Sequence, residues 1–194
     1  MTLRERFYEC IQGPWETAGD DIEFRISDDG EGNKRVFFQY TDIRQTRDII
    51  NDADFPVKLY RREPIKWYTH QGFARGFKSV IDIIGPRLMG AKSVYIAGYS
   101  AGGAYATLLH EWVWWNICPD VETWTFGAPR VCWMLPRLVR ERFENLHRVY
   151  DFRDIFVHLP PWMFGYEHVG QRVRTGKYGW PTVADHGNYY AIQD

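Results

Sequence analysis

The chain has 194 residues, 45% hydrophobic and 17% aromatic, with a formal net charge of −1. That length and apolar content suit one domain over 1–194 with a sizeable core and argue against disorder. The charge balance leaves no global field directed at nucleic acid or an anionic membrane, and three scattered cysteines, Cys10, Cys118 and Cys132, make neither a disulfide framework nor a zinc site. Each cysteine reads as a small buried apolar residue.

The opening MTLRERFYECIQG lacks the apolar stretch of a secretory signal. With no signal visible, a cytoplasmic location is the default expectation, and no segment approaches the roughly 20 apolar residues of a membrane span. Residues 22–27 alternate apolar and polar, Asp28-Asp29-Gly30-Glu31-Gly32-Asn33 is a turn, and Val36-Phe37-Phe38 is a second strand, which together predict an antiparallel hairpin. From 71 to 88 apolar residues recur at helical spacing, with Pro86 expected to end or kink the helix. A strand over 94–97 and a helix through Leu108, Trp112 and Trp115 follow. Residues 122–126 read as a strand stopped by Gly127-Ala128-Pro129, 135–143 as a helix, and 149–152 as a further strand. The basic positions Arg137, Arg140 and Arg142 read as a solvated face, and binding of nucleic acid is not expected. Strands alternating with helices imply crossover units and a mostly parallel, doubly wound α/β sheet with an antiparallel hairpin at its entry.

The stretch Gly98-Tyr99-Ser100-Ala101-Gly102 fits G-x-S-x-G, with a strand before it and a helix after it. A serine at so sharp a turn has its hydroxyl pushed into open space above the carboxyl ends of the strands. Side chains at 98 or 102 would collide with the neighbouring helix or strand. The helix N-terminus offers N–H groups to a developing oxyanion. A serine nucleophile needs a base and an acid that orients it, in the chain order Ser, Asp or Glu, His. That order leaves His158, His168 and His186. Asp154, beyond the strand that contains Asp151, is the better acid, because catalytic loops gather at strand carboxyl ends. His158 is too near Asp154 in sequence, and spacing alone does not separate His168 from His186.

The chain resembles the class 3 lipase family of fungal-lipase-like α/β-hydrolases. Residues 98–103 resemble its GxSxGG nucleophile elbow, and Thr125-Phe126-Gly127-Ala128-Pro129-Arg130-Val131 its TFG-[SA]-PRV segment. Arg148-Val149 through Asp154-Ile155 and Leu159-Pro160-Pro161 resemble the segment that carries the triad acid. His70-Gln71-Gly72-Phe73, His168-Val169-Gly170 and Asp185-His186 with Tyr189-Tyr190 resemble three further segments, the last supplying the base. The resemblance therefore implies an α/β-hydrolase fold with helices on both faces of the sheet and a catalytic set of Ser100, Asp154 and His186. His168 becomes a hydrogen-bonded loop residue.

Phe38-Gln39-Tyr40-Thr41 aligns with the family's oxyanion segment, so Thr41 and the Ala101 amide form the implied oxyanion hole. Here Tyr40 and Gln39 replace the usual glycine and arginine, which alters access. A candidate lid spans 42–53 and is dominated by charge, which favours small or soluble esters over a lipid surface. The implied activity is serine lipase or esterase chemistry on acylglycerol-type or short- to medium-chain esters through an acyl-enzyme. It uses no metal or organic cofactor and makes at most transient contact with lipid. A phospholipase A1, a feruloyl esterase or a non-catalytic binding protein on the same fold are the alternatives. The family is often secreted.

Overall fold

The computed structural model describes residues 1–19, 22–39, 56–61, 64–117 and 120–192. Helix α1 (Leu3–Cys10) starts at a capping box: the Thr2 hydroxyl accepts the Glu5 N–H and the Glu5 carboxylate accepts the Thr2 N–H. Strands β1 (Glu16–Ala18), β2 (Ile22–Asp28) and β3 (Asn33–Gln39) form an antiparallel ladder. At the turn between β2 and β3, Asp29 Oδ1 accepts the N–H groups of Glu31 at 2.8 Å and Asn33 at 3.1 Å. Carboxylates of this kind cap their own turn, so the acidic run belongs there.

Strands β4 (Val57–Arg61) and β5 (Trp67–His70) lead into helix α2 (Gln71–Leu88). Then come strand β6 (Ser93–Tyr99), helix α3 (Ala101–Asn116), strands β7 (Val121–Phe126) and β8 (Cys132–Trp133), and the short helix α4 (Arg137–Arg140). Strands β9 (Leu146–Asp151), β10 (Tyr166–Glu167) and β11 (Gln171–Thr175) complete the described strands. The main sheet runs β1-β2-β3-β6-β7-β9-β11, parallel from β3 to β11. A smaller antiparallel sheet runs β10-β8-β5-β4.

The two-residue period of the strands sorts their side chains between two apolar layers. Val36 and Phe38 on β3 and Val94 and Ile96 on β6 join Phe73, Phe77 and Val80 of α2 and Leu108 and Leu109 of α3. Phe37, Ala97 and Tyr99 point the other way, to Phe7 and Cys10 of α1 and to Val149 and Tyr189. Helices thus cover both faces, as the resemblance implies. Cys10 and Cys132 are both fully buried, and burial raises their thiols far above the ordinary range. Cys118 lies outside the described residues.

Several expectations change. Pro86 sits inside the last turn of α2, which runs on to Leu88. Residues 135–143 hold only α4 and a 3-10 turn, Glu141–Phe143. Arg142 is not solvated: it pairs with the fully buried Glu111, which also takes Arg61 at 3.1 Å, and packs on the Trp114 and Trp115 rings. Two guanidinium groups on one carboxylate satisfy what would be a costly buried charge. Strands β4, β5, β8, β10 and β11 carry no strong alternation. β8 and β10 are two residues long and exist through cross-strand pairing alone.

Buried His110 lies beside this cluster. Its Nε2–H donates to the Arg142 carbonyl at 2.9 Å, and its Nδ1 accepts the Thr123 hydroxyl at 2.8 Å. The neutral ring satisfies both partners, and burial holds the folded pKa at about 4, against 6.5 ordinarily. Between those values the unfolded chain binds more protons. Stability is therefore fully present above pH 6.5 and falls toward pH 4, by up to about 1.4 kcal/mol per pH unit from this group. Urea unfolding across pH 4–7 should show that loss, and His110→Gln should flatten it while lowering stability at pH 7. An unchanged slope would separate His110 from the effect.

Candidate active site

Ser100 lies between β6 and α3 with φ at +57°, a region that costs an L-residue about 1–3 kcal/mol. Its N–H donates to the Phe126 carbonyl at 2.9 Å, and its own carbonyl accepts the Gly103 N–H at 2.9 Å. The flanking glycines are required by space. A Cβ on Gly98 would run into the Gly102 backbone, and one on Gly102 into the Phe38 backbone. A Cβ on Gly103 would stand 2.6 Å from the Ala128 methyl. Ala101 opens the helix, where backbone N–H groups have no intrahelical acceptor.

Asp154 follows the carboxyl end of β9 and caps the 3-10 turn Ile155–His158. Its Oδ1 accepts the Phe156 N–H at 2.9 Å, and its Oδ2 accepts His186 Nδ1–H at 2.8 Å and the Tyr189 hydroxyl at 2.9 Å. A carboxylate only accepts, so Nδ1 carries the ring proton and Nε2 is left as an acceptor. The Ser100 Oγ–H donates to that Nε2 at 2.8 Å. All three side chains are buried, Asp154 completely.

Aromatic side chains confine the imidazole. The Tyr99 ring stacks on it at 5.1 Å, Phe156 packs at 4.4 Å, and the Tyr99 hydroxyl donates to the His186 carbonyl at 2.7 Å. Burial, and Asp154 after it, push the Tyr189 phenol well above 10, so it remains a donor. The 3-10 segment Ala184–Ala191 that carries His186 is tied down through Asp151. That carboxylate accepts Asn188 Nδ2–H at 2.8 Å and the Arg153 guanidinium at 3.1 Å.

The structure thus brings Ser100, Asp154 and His186 together. His168 is held elsewhere, its Nε2–H donating to the Val157 carbonyl at 2.7 Å; burial and the nearby Arg148 keep it neutral well below pH 6.5. His158 Nε2–H donates to the Phe152 carbonyl at 2.7 Å. Thr41, Tyr40 and the candidate lid 42–53 lie outside the described residues. Sequence reasoning missed Tyr99, Phe156 and the Asp151–Asn188 tether. Tyr99 was visible only as the variable position of the serine motif, and Tyr189 only as half of a tyrosine pair.

A mostly parallel sheet covered on both faces, with the serine on its central strand-to-helix turn, is the α/β-hydrolase fold. The description of the class 3 lipases matches residues 36–164, two-thirds of the sequence, and the chain belongs to that family. Among solved structures it is similar to the lipase from Rhizopus microsporus var. chinensis, with a TM-score of 0.72 and 22% identity over 93% of this chain and 75% of that one. It is likewise similar to the Rhizomucor miehei triacylglyceride lipase, with a TM-score of 0.72 and 20% identity over 92% and 80%. The mono- and diacylglycerol lipase from Aspergillus oryzae gives 0.68 and 23% over 88% and 65%, so this chain spans about two-thirds of that protein's length. No curated protein matches the sequence.

Gly127 carries φ +59°, and a Cβ there would stand 2.8 Å from the Tyr189 ring, 2.9 Å from Asp154 Oδ2 and 3.1 Å from His186 Cε1. Gly127→Ala should cost about 1–3 kcal/mol in urea unfolding through the left-handed backbone and crowding. It should also lower hydrolysis of p-nitrophenyl butyrate at least about a hundredfold, since small misplacements of reacting groups cost that much. Full activity in the folded variant would show that the site tolerates the extra methyl.

Proposed function

We propose that the protein hydrolyses carboxylic esters by serine catalysis, on acylglycerol-type or short- to medium-chain substrates, with residues 1–194 acting as one domain. The observation that carries this reading is the relay from Ser100 through His186 to Asp154, with 2.8 Å at each step. His186 Nε2 takes the proton as Ser100 Oγ attacks the ester carbonyl. Asp154 holds the tautomer and stabilises the imidazolium that forms. Collapse of the tetrahedral intermediate expels the alcohol, which receives that proton from Nε2. Water then attacks the acyl-serine, giving its proton to His186, and Ser100 leaves with it as the acid departs. The Ala101 amide and Thr41 are the proposed donors to the oxyanion, whose charge they would meet as it develops.

Ser100→Ala, Asp154→Ala and His186→Ala should each lower kcat by about three to six orders of magnitude and should not add when combined. His168→Ala should cost far less. Steady-state kinetics on a soluble ester decides it, and an inactive but folded His168→Ala with an active His186→Ala would reverse the assignment of the base.

Substrate preference follows from composition at 42–53, where Ile43, Ile49 and Ile50 are outnumbered by charged residues. Burying three isoleucines in lipid yields only several kcal/mol, at about 25 cal/mol per Å², and bringing the neighbouring charges to the surface offsets part of it. A short-chain triglyceride should therefore give only a modest rate rise across its solubility limit. A steep jump, with preference for long acyl chains, would assign the segment to interfacial activation instead.

A further inference from the structure

A cleft of about 860 Å³ opens beside the outer strands of the main sheet, and none of Ser100, Asp154 or His186 lines it. Its floor comes from β9 and β11, where Arg148 and Arg172 are direct partners across a parallel pair. Like charges placed opposite each other destabilise a sheet. Arg148 is also 93% buried by its exposure of 7%. Its Nε has no hydrogen-bond partner, and among the described residues no carboxylate pairs with it. The compensation present is the Tyr150 ring, 4.7 Å from the guanidinium carbon.

The other charges of the cleft do not relieve this. Arg130 donates to the carbonyls of His158 and Pro160 from Nη1 alone. Glu167 is taken by Arg140 at 2.5 Å. Glu144 lies exposed at the margin, and His168 is neutral. Burial, with Arg172 and Arg130 nearby, draws even the Arg148 guanidinium down to about 10. A buried cation without a partner is among the costliest features a fold can hold. Here it faces a space large enough for an organic molecule.

We propose that the cleft binds a phosphate monoester, with the phosphate between Arg148, Arg172 and Arg130 and the organic body against Tyr150, Phe152 and Trp162. Arg148 and Arg172 have no carboxylate partner among the described residues, and of the carboxylates lining the cleft Glu167 is already paired with Arg140, so the site suits a dianion better than a single carboxylate. Guanidinium forks match phosphate oxygens in pairs. The volume exceeds what inorganic phosphate fills, and Trp162, 72% exposed, gives the ligand body an apolar wall. The ligand is either a soluble phosphomonoester or the headgroup of a phosphatidate lipid. The site stands apart from ester hydrolysis and does not depend on that reading.

The test uses the full chain with three probes: inorganic phosphate, glycerol 3-phosphate, and phosphatidylcholine vesicles with or without phosphatidate. Calorimetry and thermal unfolding at low salt should show glycerol 3-phosphate binding below about 1 mM and raising Tm, with inorganic phosphate weaker. Cosedimentation restricted to phosphatidate vesicles, without a response to the soluble ester, assigns the site to the lipid headgroup. Arg148→Met should raise the ligand-free Tm, because the unpaired charge is gone, and weaken phosphate binding at least tenfold. Arg172→Gln, on the exposed edge strand, should weaken binding likewise while keeping full hydrolysis of p-nitrophenyl butyrate; it serves as the folded control if Arg148→Met does not fold. No response to any probe, or responses equal in the native chain and the folded variants, overturns the proposal.

Discussion

The site depends on how closely the first turn of α3 approaches the sheet. At Gly98, Gly102 and Gly103 the neighbours are the backbone of β3, the helix's own first turn and the Ala128 methyl, with no room for a Cβ. That contact places Ser100 where its strained φ of +57° is imposed by both sides. Strain of this size persists only when the surroundings over-determine the backbone. Here the Phe126 carbonyl holds the serine N–H and two buried layers hold the strands.

The other half of the site is built from short segments that have little stability of their own. Asp154 caps one 3-10 turn and His186 sits on another. Each is held by side-chain bonds to groups whose own partners are complete: Tyr189 bridges the Asp154 carboxylate and the Asp151 N–H, and Asn188 bridges Asp151 and Asp185. A satisfied network, here buried at Asp154, Asp151 and Tyr189 and half-buried at Asn188 and Asp185, is rigid because no member can move without leaving another unpaired. Rigidity therefore comes from polar closure at the carboxyl ends of the strands, and from apolar packing beneath them.

Buried charge is handled differently at two places in the fold. On α3, Glu111 is shared by Arg61 and Arg142, and the cluster closes on itself. Along β9, Arg148 faces Arg172, and among the described residues no carboxylate pairs with Arg148. The first arrangement is complete within the chain. In the second, the described residues bring no carboxylate to Arg148, and this contrast singles out the cleft from the other charged regions.

The elbow, the hairpin, α2 and the order of strands and helices were legible in the chain itself. Local rules govern them: glycines crowd Ser100, carboxylates cap the turn after β2, and apolar spacing marks α2 and β6. The candidate nucleophile and the candidate acid followed from the same rules, because each sits at the carboxyl end of a recognisable strand. The preference for His186 over His168 did not, since both lie beyond Asp154 at spacings that many folds would permit; family resemblance favoured His186, and it is the His186 ring that hydrogen-bonds both Asp154 and Ser100. The small sheet, the buried fate of Arg142, the stacking of Tyr99 on the imidazole and the unmatched Arg148 were equally illegible. Each depends on which residues meet across distances of tens of positions, where chain-local periodicity carries no signal and only packing and charge balance in the folded state decide.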